Sequence, residues 1–149
     1  EAIIKGQREQ LARVQSRLQV LPPGSELEVV RVFGTETNVL TVGKRSFLTD
    51  IIGLAGGVNS FCDVDDDYFQ IPFERLAAMD PDVLIVHGEE SEADGKKADF
   101  MKSPQFSTLR AVKTGRILVY SCDHICHPNA TLAGTVERVA RGLYSECFK

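Results

Sequence analysis

The chain has 149 residues, 43% hydrophobic and 26% charged, with a net charge of −4, which suits one domain with a real core and is too short for two comfortable ones. The acidic balance and the lack of a long basic run argue against a nucleic-acid partner. No apolar run reaches the roughly 18 residues of a membrane span and no signal peptide is present; the chain opens EAIIKG without an initiator Met, which reads as a processed product or a piece of a longer chain.

Residues 1–20 carry Ile4, Leu11, Val14 and Leu18 at helical spacing, with polar residues on the other face. The following LPPGSE stops that helix, because proline lacks the amide hydrogen and restricts the residue before it. LEVVRVF (27–33) is a β-branched run of strand length, ending in the small polar loop GTETN. SFLTDIIGLA (46–55) places Phe47, Ile51 and Leu54 on one helical stripe, and Gly56–Gly57 forms a stop. A short helix is predicted over 71–79, with Pro72 at a permitted first-turn position. DPDVLIVH (80–87) is a turn followed by a buried-type strand. A charged loop, GEESEADGKKAD, enters a further helix, SPQFSTLRAV is a short helical stretch, and GRILVYS (115–121) is another strand. An amphipathic helix over 131–144 closes the chain.

This rhythm of strands and helices predicts an α/β fold, a three-layer sandwich with a mainly parallel central sheet. In such sheets ligands gather beyond the carboxyl ends of the strands. Three segments leave those ends: GTETNVLTVGKR, HGEESEADG and CDHICHPN. They nominate Thr37, Asn38, Lys44, Arg45, His87, Glu89, His124, Cys126 and His127 as ligand-binding residues, with Tyr68 from the neighbouring acidic stretch.

DVDDDYFQIPFE (63–74) imitates a calcium loop, with Asp63, Asp65 and Asp67 at positions 1, 3 and 5 and Glu74 at position 12. Tyr68 stands where the sharp turn requires glycine and Pro72 falls inside the loop, so an EF-hand is rejected. VGKRS resembles the tail of a P-loop, yet Asn38 occupies the place of that motif's first glycine, so this is rejected too. Glu74 on spacing alone is a carboxylate favoured by the helix dipole. The acidic residues after His87 read as a solvated face.

SCDHICHPN (121–129) supplies Cys and His, which suit zinc, copper or iron. Cys122 and Cys126 are spaced C-x3-C, without the second half-site of a structural zinc centre and without the C-x-x-C spacing of thiol oxidoreductases. Two readings stay open: plain pocket lining, or direct metal or cofactor contact through His124, Cys126 and His127. The four cysteines allow two disulfides in three pairings.

Three stretches in order, VGKRSFLTDIIGLAGGVNSF, IPFERLAAMDPDVLIV and LRAVKTGRILVYS, followed by the final helix, resemble the C-terminal lobe of class III substrate-binding proteins. These serve ABC importers of ferric siderophores, haem and cobalamin. The resemblance implies one lobe of a two-lobed binding protein (23–149), preceded by the C-terminal part of the inter-lobe helix (1–22), with the N-terminal lobe outside this chain. It implies no enzyme and no intrinsic cofactor; the ligand is a transported iron chelate, haem or corrinoid. It also implies a periplasmic or cell-surface lipoprotein and a permease–ATPase partner met through Glu74, which matches the family's docking glutamate. The family's last loop often carries arginines where this chain has ICHPNAT, which weakens the case for a strongly anionic siderophore. The rival class is a small metal- or thiol-dependent α/β enzyme using residues 122–127, for which no general base paired with a nucleophile can be identified.

Overall fold

The computed structural model describes residues 2–35, 37–121 and 132–148. Four parallel strands form the central sheet in the order β4 (Val58–Asn59), β1 (Glu28–Arg31), β6 (Val83–His87), β7 (Ile117–Tyr120). Val29 pairs with Asn59 on one side and Val83 on the other, and Ile85 pairs with Leu118. The strands are short and largely buried, so they read as continuous apolar runs rather than alternating ones.

Alternate residues of these strands face two separate cores. Val29, Val83 and Ile85 pack with α1 (Ala2–Leu18), α2 (Phe47–Leu54) and α6 (Leu132–Leu143) through Val14, Leu48, Ile51, Ile52, Val136 and Val139. Val30, Leu84 and Val86 face α3 (Phe73–Met79), α4 (Ala93–Lys102) and α5 (Arg110–Lys113) through Leu76, Phe100, Ala111 and Val112, with Phe106 from the turn before α5. Helices on both faces of a parallel sheet make the predicted three-layer sandwich.

The predicted helices form with small shifts. In α1 Val14 is buried and Leu11 and Leu18 pack on the core, but Ile4 is exposed, because α1 meets the core only along part of its length. Gln7 of α1 accepts the Ala133 amide, satisfying one of the amides that the start of α6 would otherwise leave unpaired. Ser46 caps α2 by accepting the Leu48 amide. Pro72 has extended backbone and is the N-cap of α3, just outside its first turn, which makes Glu74 the second residue of the helix. SPQFSTLRAV splits into a 3-10 turn (Phe106–Thr108) and the four-residue α5.

The main departure lies in GTETNVLTVGKR, which is not a loop. It folds as a hairpin, β2 (Phe33–Thr35) and β3 (Asn38–Val42), and β3 pairs antiparallel with β5 (Tyr68–Ile71) in a second sheet. NVLTV is itself a β-branched run whose Val39, Thr41 and Val42 are buried, and that burial outweighs the polar turn residues beside it.

Two contacts fix this second sheet. Gly43, Lys44 and Arg45 donate their amides to Asp67, Val64 and Asp66 carbonyls; a methyl on Gly43 would lie 2.6 Å from the Asp66 oxygen, so the approach requires glycine. Asn59, buried at the end of β4, donates to the Val42 carbonyl (3.0 Å) and Thr49 hydroxyl (2.9 Å) and accepts the Phe61 amide (3.0 Å). On the opposite edge, Asp82 of the PDV turn accepts the Glu28 amide and pairs with Arg110 at 2.8 Å, tying the starts of β1 and β6 to α5.

Candidate functional site

The chain leaves β1 towards α2 on one face, leaves β6 towards α4 on the other, and after β7 enters α6 on the first face. Connections therefore diverge between β1 and β6 and again between β6 and β7. Crevices open at the carboxyl ends of strands where that happens, and both places hold one. Between β1 and β6 a crevice of about 220 Å³ is lined by Val32, Phe33, Gly34, Val86, His87, Lys96, Phe100 and Phe106. Between β6 and β7 one of about 230 Å³ is lined by Glu89, Glu90, Val119, Tyr120, Ser121 and Arg138.

The two differ in chemistry. The first is walled by aromatic rings: Phe100 and Phe106 meet tilted at 46° with centroids 4.9 Å apart, and Phe33 carries the Arg31 guanidinium at 4.6 Å from its centroid. His87 is the exposed last residue of β6 at its edge. The second is polar. Tyr120 donates its hydroxyl to the Arg138 carbonyl at 3.2 Å; burial pushes its phenol well above the ordinary value, and the nearby Arg138 charge partly opposes that. Burial also lowers the Arg31 guanidinium from its usual value.

Of the nominated residues, the structure brings His87 to the first crevice and Glu89 to the second. Glu89 has a structural task as well: it caps the 3-10 turn Glu90–Glu92, and the Glu92 carboxylate accepts its amide at 2.9 Å. Thr37 and Asn38 sit at the turn of the β2–β3 hairpin, where the Thr37 and Thr35 hydroxyls are 3.2 Å apart. Lys44 and Arg45 are at the other end of β3, against the turn that follows β4. There Arg45 pairs with Asp65 and Asp66, at 3.4 and 3.6 Å, both exposed. The acidic stretch that imitates a calcium loop is thus partly neutralised by arginine. Among the described residues no group of three or more His, Cys, Asp or Glu could hold a metal ion. Tyr68 is 65% exposed on β5, its ring 6.5 Å from Phe33, so it extends the aromatic wall outward from the first crevice. Glu74 is exposed at the start of α3. Cys122, His124, Cys126 and His127 lie outside the described residues; Cys62 and Cys147 are free thiols.

Sequence reading missed Phe33, Lys96, Tyr120 and Arg138. Phe33 closes one predicted strand and Tyr120 is the next-to-last residue of another, and a large ring near a strand's carboxyl end was the available signal. Lys96 and Arg138 come from helices, where a single cation gives no signal.

Residues 1–123 match the family of periplasmic binding proteins. A curated relative, the uncharacterized ABC transporter substrate-binding lipoprotein YvrC of Bacillus subtilis, is 22% identical over 100% of this chain and 46% of its own length. The solved structure of an ABC-type Fe3+-hydroxamate transport system from Saccharomonospora viridis superposes with a TM-score of 0.78 at 22% identity, covering 95% of this chain and 48% of that one. The periplasmic haem-binding protein RhuT from Roseiflexus sp. RS-1 superposes at 0.79 with 18% identity, covering 99% and 56%. The chain thus spans about half the length of the proteins it matches, the extent of a single lobe. Its sequence, its two-faced parallel sheet and its strand-end crevices agree: the chain belongs to the periplasmic binding protein family.

Proposed function

We propose that this chain is the C-terminal lobe of the substrate-binding component of an ABC importer, and that its cargo is an iron chelate, haem or a corrinoid. The observation that carries this is the pair of crevices at the switch points of the sheet, one aromatic and one polar, on a lobe of this family. A lobe with two shallow half-sites suits a ligand clasped against a second lobe, with α1 as the end of the connecting helix. Phe33, Tyr68 and His87 would meet the ligand's apolar body, and Glu89, Tyr120 and Arg138 its polar rim. The haem and Fe3+-hydroxamate proteins of like fold support that cargo class.

In this reading the protein works outside the cytoplasmic membrane, as a periplasmic protein or a lipoprotein like the Bacillus relative. Glu74 docks the permease, since an exposed carboxylate at a helix start is available to a bidentate arginine. His124, Cys126 and His127 would add to the ligand wall from the loop after β7. Calorimetric titration of the full-length protein with ferric chelates, haem and cobalamin tests the proposal. Binding of one of them at micromolar or tighter Kd is expected; failure of all of them refutes it.

A further inference from the structure

Residues 89–102, which make up the 3-10 turn and α4, are attached to the lobe by side-chain packing alone. Among the described residues no hydrogen bond or ion pair joins them to any residue other than Ser103, which closes α4. The polar contacts they make are internal: the Glu92 carboxylate accepts the Glu89 amide and the Glu92 amide donates to the Glu89 carbonyl, both at 2.9 Å. The segment is fastened at its two flanks. The Gly88 amide donates to the Tyr120 carbonyl at 2.9 Å, and the Ser103 hydroxyl accepts the Phe106 amide at 3.1 Å.

The packing itself is thin. α4 has ten residues and none of them is fully buried. Each of the other α-helices buries at least one side chain: Val14 in α1, Ile52 in α2, Leu76 in α3, Val112 in α5, and Val136 and Val139 in α6. A helix shorter than about 12–15 residues is marginal in water by itself and owes its stability to the apolar face it packs. Here that face is the half-buried Phe100 ring, 4.9 Å from Phe106, helped by the half-buried Ala93 and Ala98, while Met101 is 51% exposed. Gly95 weakens the helix by a further factor of about three to five against alanine. A methyl there would meet nothing within 4 Å, so no close approach requires the glycine. Few buried apolar contacts and no bonds to the surroundings mark a segment that opens at a lower free energy than the whole domain.

The same segment walls both crevices: Lys96 and Phe100 line the one between β1 and β6, and Glu89 and Glu90 the one between β6 and β7. We propose that residues 89–102 form a flap, hinged at Gly88 and Ser103, that opens as one unit while the sheet and the other helices stay folded. Opening takes a wall from each crevice at once and uncovers the end of β6 between them. Resting on the importer reading above, the flap is the adjustable side of the cargo site, and the two crevice volumes are those of its closed position.

The test is native-state hydrogen–deuterium exchange on the full-length protein without ligand. Amides 97–102, which bond within α4, should show protection at least about tenfold below that of residues 136–143 in α6, while Gly88 and β6 keep the protection of the sheet. Gly95→Ala should raise the protection of amides 97–102 by a common factor of about three to five and leave α6 unchanged. Phe100→Ala should lower it by at least about tenfold over the same residues, and Phe100→Leu gives the same pattern with a smaller change should Phe100→Ala not fold. Protection in α4 within about threefold of α6 overturns the inference. So does a Gly95→Ala change that is absent or confined to neighbouring amides, or an opening that takes Gly88 and β6 with it. The exchange needs no ligand, so failure of the flap leaves the importer reading standing, and failure of that reading is seen separately in the calorimetry.

Discussion

Asn59 offers the sharpest test of how the second sheet is held to the first. It is 2% exposed and makes three hydrogen bonds, to the Val42 carbonyl, the Thr49 hydroxyl and the Phe61 amide. Thr49 passes the chain on to the Gly43 carbonyl at 2.6 Å, so one side chain links β4, β3 and the start of α2. Asn59→Ala leaves the Val42 carbonyl and the Phe61 amide without this partner. Each buried orphan costs about 1–3 kcal/mol, and relief from burying the amide offsets part of that, for a net loss of about 3 kcal/mol. For a domain of this size that corresponds to a fall in Tm of about 6–12 °C. Urea denaturation followed by circular dichroism should show the midpoint falling with the slope unchanged.

Asn59→Asp adds a check with a definite sign. The introduced carboxyl can still accept the Phe61 amide, but its other oxygen faces the Val42 carbonyl and is tolerated only when protonated. Its folded-state pKa is therefore raised. Stability from the protonated form is present below the ordinary carboxyl value of about 4 and is lost as pH rises through the folded-state value. A loss below about 1 kcal/mol for Asn59→Ala, or no pH dependence for Asn59→Asp, would refute the reasoning.

Other expectations follow from single contacts. Asp82→Ala removes the acceptor for the Glu28 amide and the 2.8 Å partner of Arg110, which is half-exposed; the expected cost is about 1–2 kcal/mol, read by the same denaturation. The Tyr120 and Tyr144 phenols are both raised by burial, so the folded state keeps them neutral. The stability they contribute is whole below pH ~10 and falls by about 1.4 kcal/mol per pH unit for each tyrosine as pH rises towards the folded-state values, and Tyr120→Phe should make that alkaline decline shallower. Glu74→Arg in the full-length protein should leave ligand affinity within about twofold while abolishing uptake in cells, because the side chain is solvent-exposed at the start of α3. Equal loss of both would remove the docking role.

Much of the fold was legible because α2, β6 and α6 are apolar runs with one period each and sharp stops. The PDV turn and AGGVN were legible as motifs, and their reasons are physical: Asp82 ties two strand starts to α5, and Asn59 ties the two sheets together. The β2–β3–β5 sheet was not legible. Its strands are three to five residues long, and NVLTV sits between polar turns that outweigh it when read locally. Its partner YFQI lies 26 residues later inside an acidic stretch.

The candidate crevices were legible as a location, since His87 ends and Glu89 follows a buried strand whose carboxyl end faces them. Its cations were not. Arg45 was nominated for the ligand but is engaged by Asp65 and Asp66. Lys96 looked like one of several helix-surface lysines, and only the fold brings its stem beside Gly88 at the β1/β6 crevice.

The most direct measurement is a crystal structure of the full-length protein with its chelate bound. The account predicts ligand atoms within about 4 Å of Phe33 and His87 in the β1/β6 crevice and of Tyr120 beside it. A ligand that contacts none of these three, or that is held by the other lobe alone, would contradict it.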